Sequence, residues 1–415
     1  MTTRLTELLR VAHTHPGITR ADAARQLGIG TGATTELVAR LSQATLLAEA
    51  PAAPSGTRGR PTTVLVPHPA GPLVLAAEIT HESWRIDVVE LGGHTLASLT
   101  APHAGTTWPE VTTAVTAAVG RFQQTYGGRL RAMGVSLPGT VAPGLRLDAS
   151  NLGWHNVDLT TLWPTAALSP APASLSAAAS SSAPASSSAP ASSSAAGAPA
   201  SPAARLAPSG PAVFVAGNDA SLAAAAESAR GAATGASVAL HVRIEGGLGG
   251  AIVNQGHLLI GATGASGEFG HMPFGDPAVI CPCGARGCWG TAVDGTALAR
   301  FLGQPPPRDP VTYARKIIAA TGPDERAAVG VIAAALGRGL AGLVNGVDAD
   351  LVTLGSIAAD LLTAAPAELH SAYQSGLMAI RRKSPPPLVA AALGPDGPIA
   401  GAAENAWSAL LPQLT

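Results

Sequence analysis

Leu5, Leu8, Leu9 and Ala12 recur at i, i+3, i+4 and i+7, the spacing that puts four apolar side chains on one helix face, and the pattern stops near His15-Pro16-Gly17. Thr19 stands where a second helix would be capped, with Asp22 three residues on as a variant of the capping box. That helix turns Ala23, Ala24 and Leu27 inward and ends at Gly28, a residue suited to the left-handed conformation past a helix end. After the Gly28-Ile29-Gly30 turn, Thr31 is placed to cap a third helix with Leu37, Val38 and Leu41 inward. Short helices around a glycine-containing turn predict a helix-turn-helix, and the runs Leu46 to Glu49 and Thr62 to Val66 predict a strand pair, a wing, behind it. From about residue 71 to 164 short β-like runs alternate with one helical stretch, and from Val213 onward an α/β pattern resumes.

Between these stretches, residues 165–210 are nearly all Ala, Ser, Pro and Gly, with Ser-Ser-Ser-Ala-Pro-Ala twice in succession from Ser180 to Ala191. Too little apolar surface is available there to offset the entropy of ordering, so this segment is expected to be disordered. Its flanks read as halves of one unit, which makes it a surface insertion of the kind chain-closure entropy tolerates. The expected division is therefore a head over residues 1–66 and a larger unit over residues 71–415 that carries the insertion.

A length of 415 residues suits two or three domains, and 47% apolar content suffices for a sizeable core. Basic residues number 25 against 26 acidic, a net charge of -1, which excludes a wholly basic nucleic-acid coat. Residues 1–66 alone hold seven arginines against four acids, so the basic charge is concentrated in the head. No stretch approaches the ~20 uninterrupted apolar residues of a bilayer span, and the N-terminus leads into an amphipathic pattern instead of a signal sequence. A cytoplasmic protein with no membrane partner is expected.

The third helix would enter a DNA major groove with its first turns, exposing Thr31, Thr34, Thr35 and Arg40. The wing loop contains Arg58-Gly59-Arg60-Pro61, which resembles the AT-hook core, an extended Arg-Gly-Arg that lies along a narrow, strongly negative A·T minor groove. The alternative is a small helical domain that binds protein, with Arg58 and Arg60 solvated. The helix is poor in basic and amide side chains, so the wing is expected to supply much of the phosphate attraction.

The second unit has a stronger chemical signal. Gly267-Glu268-Phe269-Gly270-His271 is followed by Cys281-Pro282-Cys283-Gly284-Ala285-Arg286-Gly287-Cys288, which includes all three cysteines of the chain. Such clustering fits a metal site in a reducing compartment, not a disulfide framework. His271, Cys281, Cys283 and Cys288 make a complete Cys3His set for one structural Zn2+, with Gly284 and Gly287 allowing a tight loop around the ion. A fully ligated ion has no open position, so no metal catalysis is expected. The alternative is three buried thiols near an unrelated histidine.

With these blocks stand Gly134 to Gly139, Asn151-Leu152-Gly153-Trp154, Gly217-Asn218-Asp219-Ala220, Gly246 to Asn254 and Asp350 to Gly355. Together with Gly59-Arg60-Pro61, they make the chain resemble the ROK family (repressors, open reading frames, kinases), in particular its winged-helix regulators of the xylose and N-acetylglucosamine repressor type. The resemblance implies an N-terminal winged helix-turn-helix followed by a two-lobed α/β actin/hexokinase-like unit with sugar in the cleft. Carried over residue by residue, it implies that Asn151, Asn218, Asp219, Glu268 and His271 approach sugar hydroxyls. Amides and carboxylates suit that task because they donate to and accept from vicinal hydroxyls. His271 would ligate zinc through one ring nitrogen and face the cleft with the other.

Kinases of that family need a strand ending Asp-x-Gly-x-Thr, whose small residues let backbone amides approach phosphates. This chain has Glu78-Ile79-Thr80-His81-Glu82 there, and the second glycine element is reduced to Gly355 before Ser356-Ile357. Asp219 matches the family's general base but would lack a phosphoryl donor to act with. No catalytic residue is therefore assigned. Where relatives place a sugar-binding Glu after the last zinc cysteine, Cys288-Trp289 leads to Gly290, which leaves room for a larger saccharide or for no effector at all. The expected function is a sugar-responsive repressor, a homodimer or homotetramer on an A·T-rich palindromic operator. Its alternatives are a hexose kinase and an effector-independent DNA binder.

Overall fold

The computed structural model describes residues 3–52, 63–103, 105, 107–149, 152–163, 168–170 and 212–415. Most of the 165–210 tract, the wing loop with Arg58, Gly59 and Arg60, and Asn151 lie outside the described residues.

The head is α1 (Arg4–Thr14), α2 (Arg20–Leu27) and α3 (Thr31–Gln43), followed by β1 (Leu47–Pro51) paired antiparallel with β2 (Thr63–Pro67). Thr19 caps α2 as its sequence position predicts: its hydroxyl accepts from the Asp22 amide and donates to the Asp22 carboxylate. Gly28 closes α2 in the left-handed conformation. The α3 cap differs from expectation. Gly30, not Thr31, is the N-cap, and Thr31 is the first helical residue.

The first lobe is built on a six-stranded sheet. Its strands are β3 (Leu73–Ile79), β4 (Ser83–Glu90), β5 (Thr95–Pro102), β6 (Leu130–Leu137), β10 (Leu168–Pro170) and β11 (Ala212–Asn218), in the order β10-β11-β6-β3-β4-β5. Strands β10, β11, β6 and β3 run parallel, and β4 and β5 add an antiparallel edge. A three-stranded sheet of β7 (Thr140–Ala142), β8 (Arg146–Ala149) and β9 (Trp154–Asp158) stands at its end. Side chains alternate along β3. Leu73, Leu75, Ala77 and Ile79 pack with Val111, Val115, Ala118 and Val119 of α4 (Trp108–Tyr126), while Val74 and Ala76 face the opposite way.

That opposite face is shared by the head. Leu8, Leu9, Ala12, Val38, Leu41 and Leu65 join Val74, Ala76 and Ala132 of the sheet and Ile399 to Leu410 of the C-terminal helix in one buried cluster. The helix-turn-helix is thus packed on the first lobe through a continuous apolar core.

The second lobe contains β12 (Val238–Ile244), β13 (Leu248–Asn254), β14 (His257–Leu258), β15 (Leu351–Ser356) and β16 (Leu388–Ala390) in the order β14-β13-β12-β15-β16. Its helices are α6 (Gly295–Phe301), α7 (Pro310–Ile318), α8 (Pro323–Val347), α9 (Ile357–Ala364), α10 (Pro366–Gly376) and α11 (Ala379–Arg382). Helix α8 is the one described helix whose length and composition would suit a membrane span, and 67% of its apolar window is buried in this lobe. Two helices join the halves: α5 (Asp219–Arg230), which follows β11, and α12 (Gly397–Leu410), which returns to the first sheet. Gly401 lets them touch, because a Cβ there would collide with the Leu222 carbonyl oxygen of α5.

The N-terminal helical head followed by a two-lobed α/β unit agrees with the fold class that the sequence implied.

Candidate functional site

The Cys3His quartet assembles. The ligand atoms of His271, Cys281, Cys283 and Cys288 all lie within 4.8 Å of one another. His271 Nδ1 is 3.8 Å from Cys281 Sγ, and Cys283 Sγ is 3.7 Å from Cys288 Sγ. Tetrahedral zinc with Zn–S bonds of about 2.3 Å requires sulfurs about 3.8 Å apart, so the donor set fits that ion. The loop is held by its own backbone: the Cys281 amide donates to Ala285 O, and the Gly284 amide to Cys281 O. Gly284 and Gly287 have φ of 90° and 71°, conformations glycine adopts without strain. Burial pushes the Cys288 thiol up to about 12, with the neighbouring Cys283 and Cys281 sulfurs adding to the rise, so metal uptake must displace its proton.

The remaining ring nitrogen of His271, Nε2, lies 3.8 Å from Glu268 Oε2. Glu268 Oε1 in turn accepts from the Thr140 hydroxyl at 3.0 Å. On the other side of that turn, Asn218 Nδ2 donates to Gly139 O at 3.0 Å. The Gly139–Thr140 turn therefore draws Asn218 and Asp219 of the β11–α5 junction together with Glu268 and His271 of the metal loop. Asn218 has a structural task as well, since its Oδ1 caps α5 by accepting from Ala220 N and Ser221 N. Glu268 makes no such helix-capping bond.

Three residues that sequence reasoning passed over complete this region. Arg243 is 5% exposed, donates through Nη2 to Glu245 and stands 4.0 Å from Asp219 Oδ2. Burial raises the Asp219 carboxyl above the ordinary range; Arg243 opposes that rise and Glu245 adds to it. Burial likewise raises Glu78 to about 7, again opposed by Arg243. Thr140 is the third. The available signal was a pair of charges, Arg243 and Glu245, at the end of an apolar strand just before a glycine run.

The segment standing where the phosphate strand was sought is closed on itself. Thr80 Oγ1 accepts from the amides of Glu82 and Ser83, and the Thr80 amide donates to Ser83 O. The glycine run after β12 has a packing role, because a Cβ on Gly250 would meet His241 O and the Phe269 ring. Gly290 is not forced by crowding: a Cβ there would meet Gly270 O at 3.4 Å, ordinary contact.

In the head, Thr31, Thr35 and Arg40 are exposed, but Thr34 is not. It is fully buried and its hydroxyl donates to Gly30 O at 3.1 Å, which corrects the expectation that Thr34 lies on the open face of α3. Position 34 lies one turn before Val38 and two before Leu41, on the buried face of α3. Arg4, Arg20 and Arg25 pair with Glu7, Glu49 and Asp22, whereas among the described residues Arg10 and Arg40 of the head have no ion pair.

Comparison with known proteins places this geometry in context. Over 85 residues the chain is 39% identical to the glucokinase of Halalkalibacterium halodurans, covering 20% of this chain and 26% of that one. Over 85 residues it is 36% identical to the xylose repressor of Bacillus subtilis, covering 20% and 22%. The matches thus span about a quarter of the length of these curated relatives. Among solved structures, a ROK family transcriptional regulator described as a homologue of the E. coli MLC protein superposes with a TM-score of 0.68 at 20% identity, over 99% of this chain and 95% of that one. A ROK family glucokinase from Streptomyces griseus, in complex with glucose and AMPPNP, superposes with a TM-score of 0.59 at 21% identity, over 81% and 99%. At such identities the superpositions establish the fold. The family model for ROK proteins matches residues 210–408, which lie behind the helix-turn-helix head.

Proposed function

We propose that this protein is a sugar-responsive, DNA-binding transcriptional regulator, a repressor of carbohydrate-related genes, that acts in the cytoplasm as a homodimer or homotetramer. The observation that carries the reading is the helix-turn-helix head sharing one buried core with the first lobe. A sugar kinase has no use for such a head. In this reading residues 1–66 address DNA and residues 71–415 sense the ligand. Thr31, Thr35 and Arg40 meet the major groove and Arg58, Gly59 and Arg60 an A·T minor groove, on a palindrome that mirrors the oligomer's two-fold axis. Asn151, Asn218, Asp219, Glu268 and His271 take the sugar or oligosaccharide, and a single Zn2+ on His271, Cys281, Cys283 and Cys288 stiffens the loop that presents two of them.

Ligand binding acts by changing the angle between the lobes and thereby the spacing of paired heads. It does so only if the ligand binds the two conformations with different free energies, typically ~1–3 kcal/mol of coupling. The glucokinase match and the retained Asp219 favour a second reading, phosphorylation of a hexose. Against it stand the self-satisfied amides of the Thr80–Ser83 turn and the exposed carboxylate Glu82, which would repel a triphosphate.

The deciding experiment compares binding to the protein's own promoter duplex and to random duplex at fixed salt, with and without a panel of mono- and oligosaccharides. It is accompanied by an ATP-hydrolysis assay with the same panel. Selective duplex binding that one sugar shifts supports the regulator; sugar-stimulated ATP hydrolysis without duplex selectivity overturns it. Selective binding that no sugar alters would favour an effector-independent DNA binder, to which Gly290 points.

A further inference from the structure

Helix α5 begins in the proposed effector cleft and ends against the head. At its start, Asn218 caps it and reaches Gly139 O, and Asp219 is its first residue. Its last residue, Arg230, lies on the far side of the lobe, about 18 Å away at 1.5 Å per residue. There the guanidinium is fully engaged. Nη2 donates to the carbonyl of His13 in α1 at 2.9 Å, Nη1 to Gly92 O at 2.9 Å, and Nε to Glu404 of α12. The Glu404 carboxylate also accepts from His13 Nε2 at 3.0 Å, while the Gly92 amide donates to His13 Nδ1. Arg230 Nη2 also lies 3.0 Å from His13 Nε2, and the His13 ring packs on Trp407.

One junction thus joins the end of α1, the end of α5 and the middle of α12. Helix α5 is also tied to the turn between β16 and α12, because buried Glu227 accepts from the amides of Ala392 and Leu393. A displacement of α5 therefore carries α12 with it. Beside the junction lies a cavity of about 190 Å³ lined by Arg85, Asp396, Arg230 and Glu404 among others, so the Arg230–Glu404 pair has free volume next to it.

We infer that α5 is the rod that transmits a change at the effector cleft to the DNA-reading head, with the His13–Glu404–Arg230 junction as its coupling to α1. The biological meaning of the rod rests on the regulator reading above, but its test uses neither DNA nor sugar.

The test is amide hydrogen exchange on the full chain, read at α1 and, as control, at α4 on the opposite face of the same sheet. Asn218→Ala and the gentler Asn218→Asp perturb the cleft end; Glu404→Gln and the milder Arg230→Lys loosen the junction. With the junction intact, Asn218→Ala is expected to speed α1 exchange about threefold or more while α4 stays unchanged, and with Glu404→Gln that transmission is lost. The inference is overturned if α1 does not respond, if α1 and α4 respond together as in general loosening, or if α1 responds equally with the junction broken. If transmission holds but no sugar in the panel of the duplex-binding experiment shifts that binding, the fault lies with the effector reading and the relay stands.

Discussion

His271 and Glu268 face each other across 3.8 Å, Nε2 to Oε2, while the other nitrogen of the same imidazole points into the cysteine cluster. One side chain therefore belongs to both the candidate metal centre and the candidate ligand cleft, and removing the metal should be felt at Glu268.

Cys283→Ser is the direct test. The wild-type chain is expected to bind one Zn2+ with net proton release, because Cys288 gives up a proton held to about 12. The variant should lose the metal and unfold its second lobe at lower temperature, checked by elemental analysis and calorimetry. A stable, zinc-loaded Cys283→Ser chain would contradict the ligand assignment.

Residues on the two sides of α3 should behave differently. Arg40→Ala, and Arg58→Ala with Arg60→Ala, should weaken duplex binding and lower the slope of log affinity against log salt by about one per arginine. Thr34→Val should leave that slope alone and cost ~1 kcal/mol of head stability, since a buried hydrogen bond to Gly30 O is lost. Anisotropy titrations at several salt concentrations separate the two outcomes.

Glu78 gives the chain a pH dependence of definite sign. Its folded-state value of about 7 lies above the ordinary 4.5, so its contribution is most favourable below pH 4.5 and is lost as pH rises to 7. The full shift corresponds to roughly 3 kcal/mol at about 1.4 kcal/mol per pH unit. Glu78→Gln should accordingly be more stable than wild type at pH 8 and nearly equal to it near pH 4.5, by denaturant melts at both values.

Glu404 runs the other way. Burial pushes its carboxyl up, but the His13 hydrogen bond and the Arg230 charge outweigh that and hold it below the ordinary range. Its contribution is present at neutral pH and fades on acidification. Glu404→Ala leaves Arg230 largely buried without its carboxylate and should cost about 3 kcal/mol at pH 7, partly recovered when Arg230→Met is added. Equal melting temperatures for wild type and Glu404→Ala would show that the pair contributes nothing.

Local features were the legible ones. The helix phases of the head, the Thr19–Asp22 cap and the left-handed Gly28 all follow from neighbours in sequence, and the structure repeats them. The Cys3His spacing was equally local, because most of its loop is one eight-residue turn. Thr34 was misassigned because it stands four residues before Val38 and seven before Leu41, on the inward face of α3. Arg243, Glu245 and Thr140 were missed because their significance comes from Asp219, Glu78 and Glu268, which approach from a helix, a strand and a loop distant in the chain.

By itself the sequence determined the character of each piece, since capping, glycine conformations and metal-ligand spacing are settled within a few residues of chain. The tertiary structure alone decided which pieces meet. That α1 of the head rests on α12, that His13 finds Glu404 at a separation of 391 residues, and that a single helix runs from the cleft to that contact depend on how two lobes close around shared helices. No local periodicity records such long-range packing, because it is chosen by the burial of whole faces and not by the order of residues along any one of them.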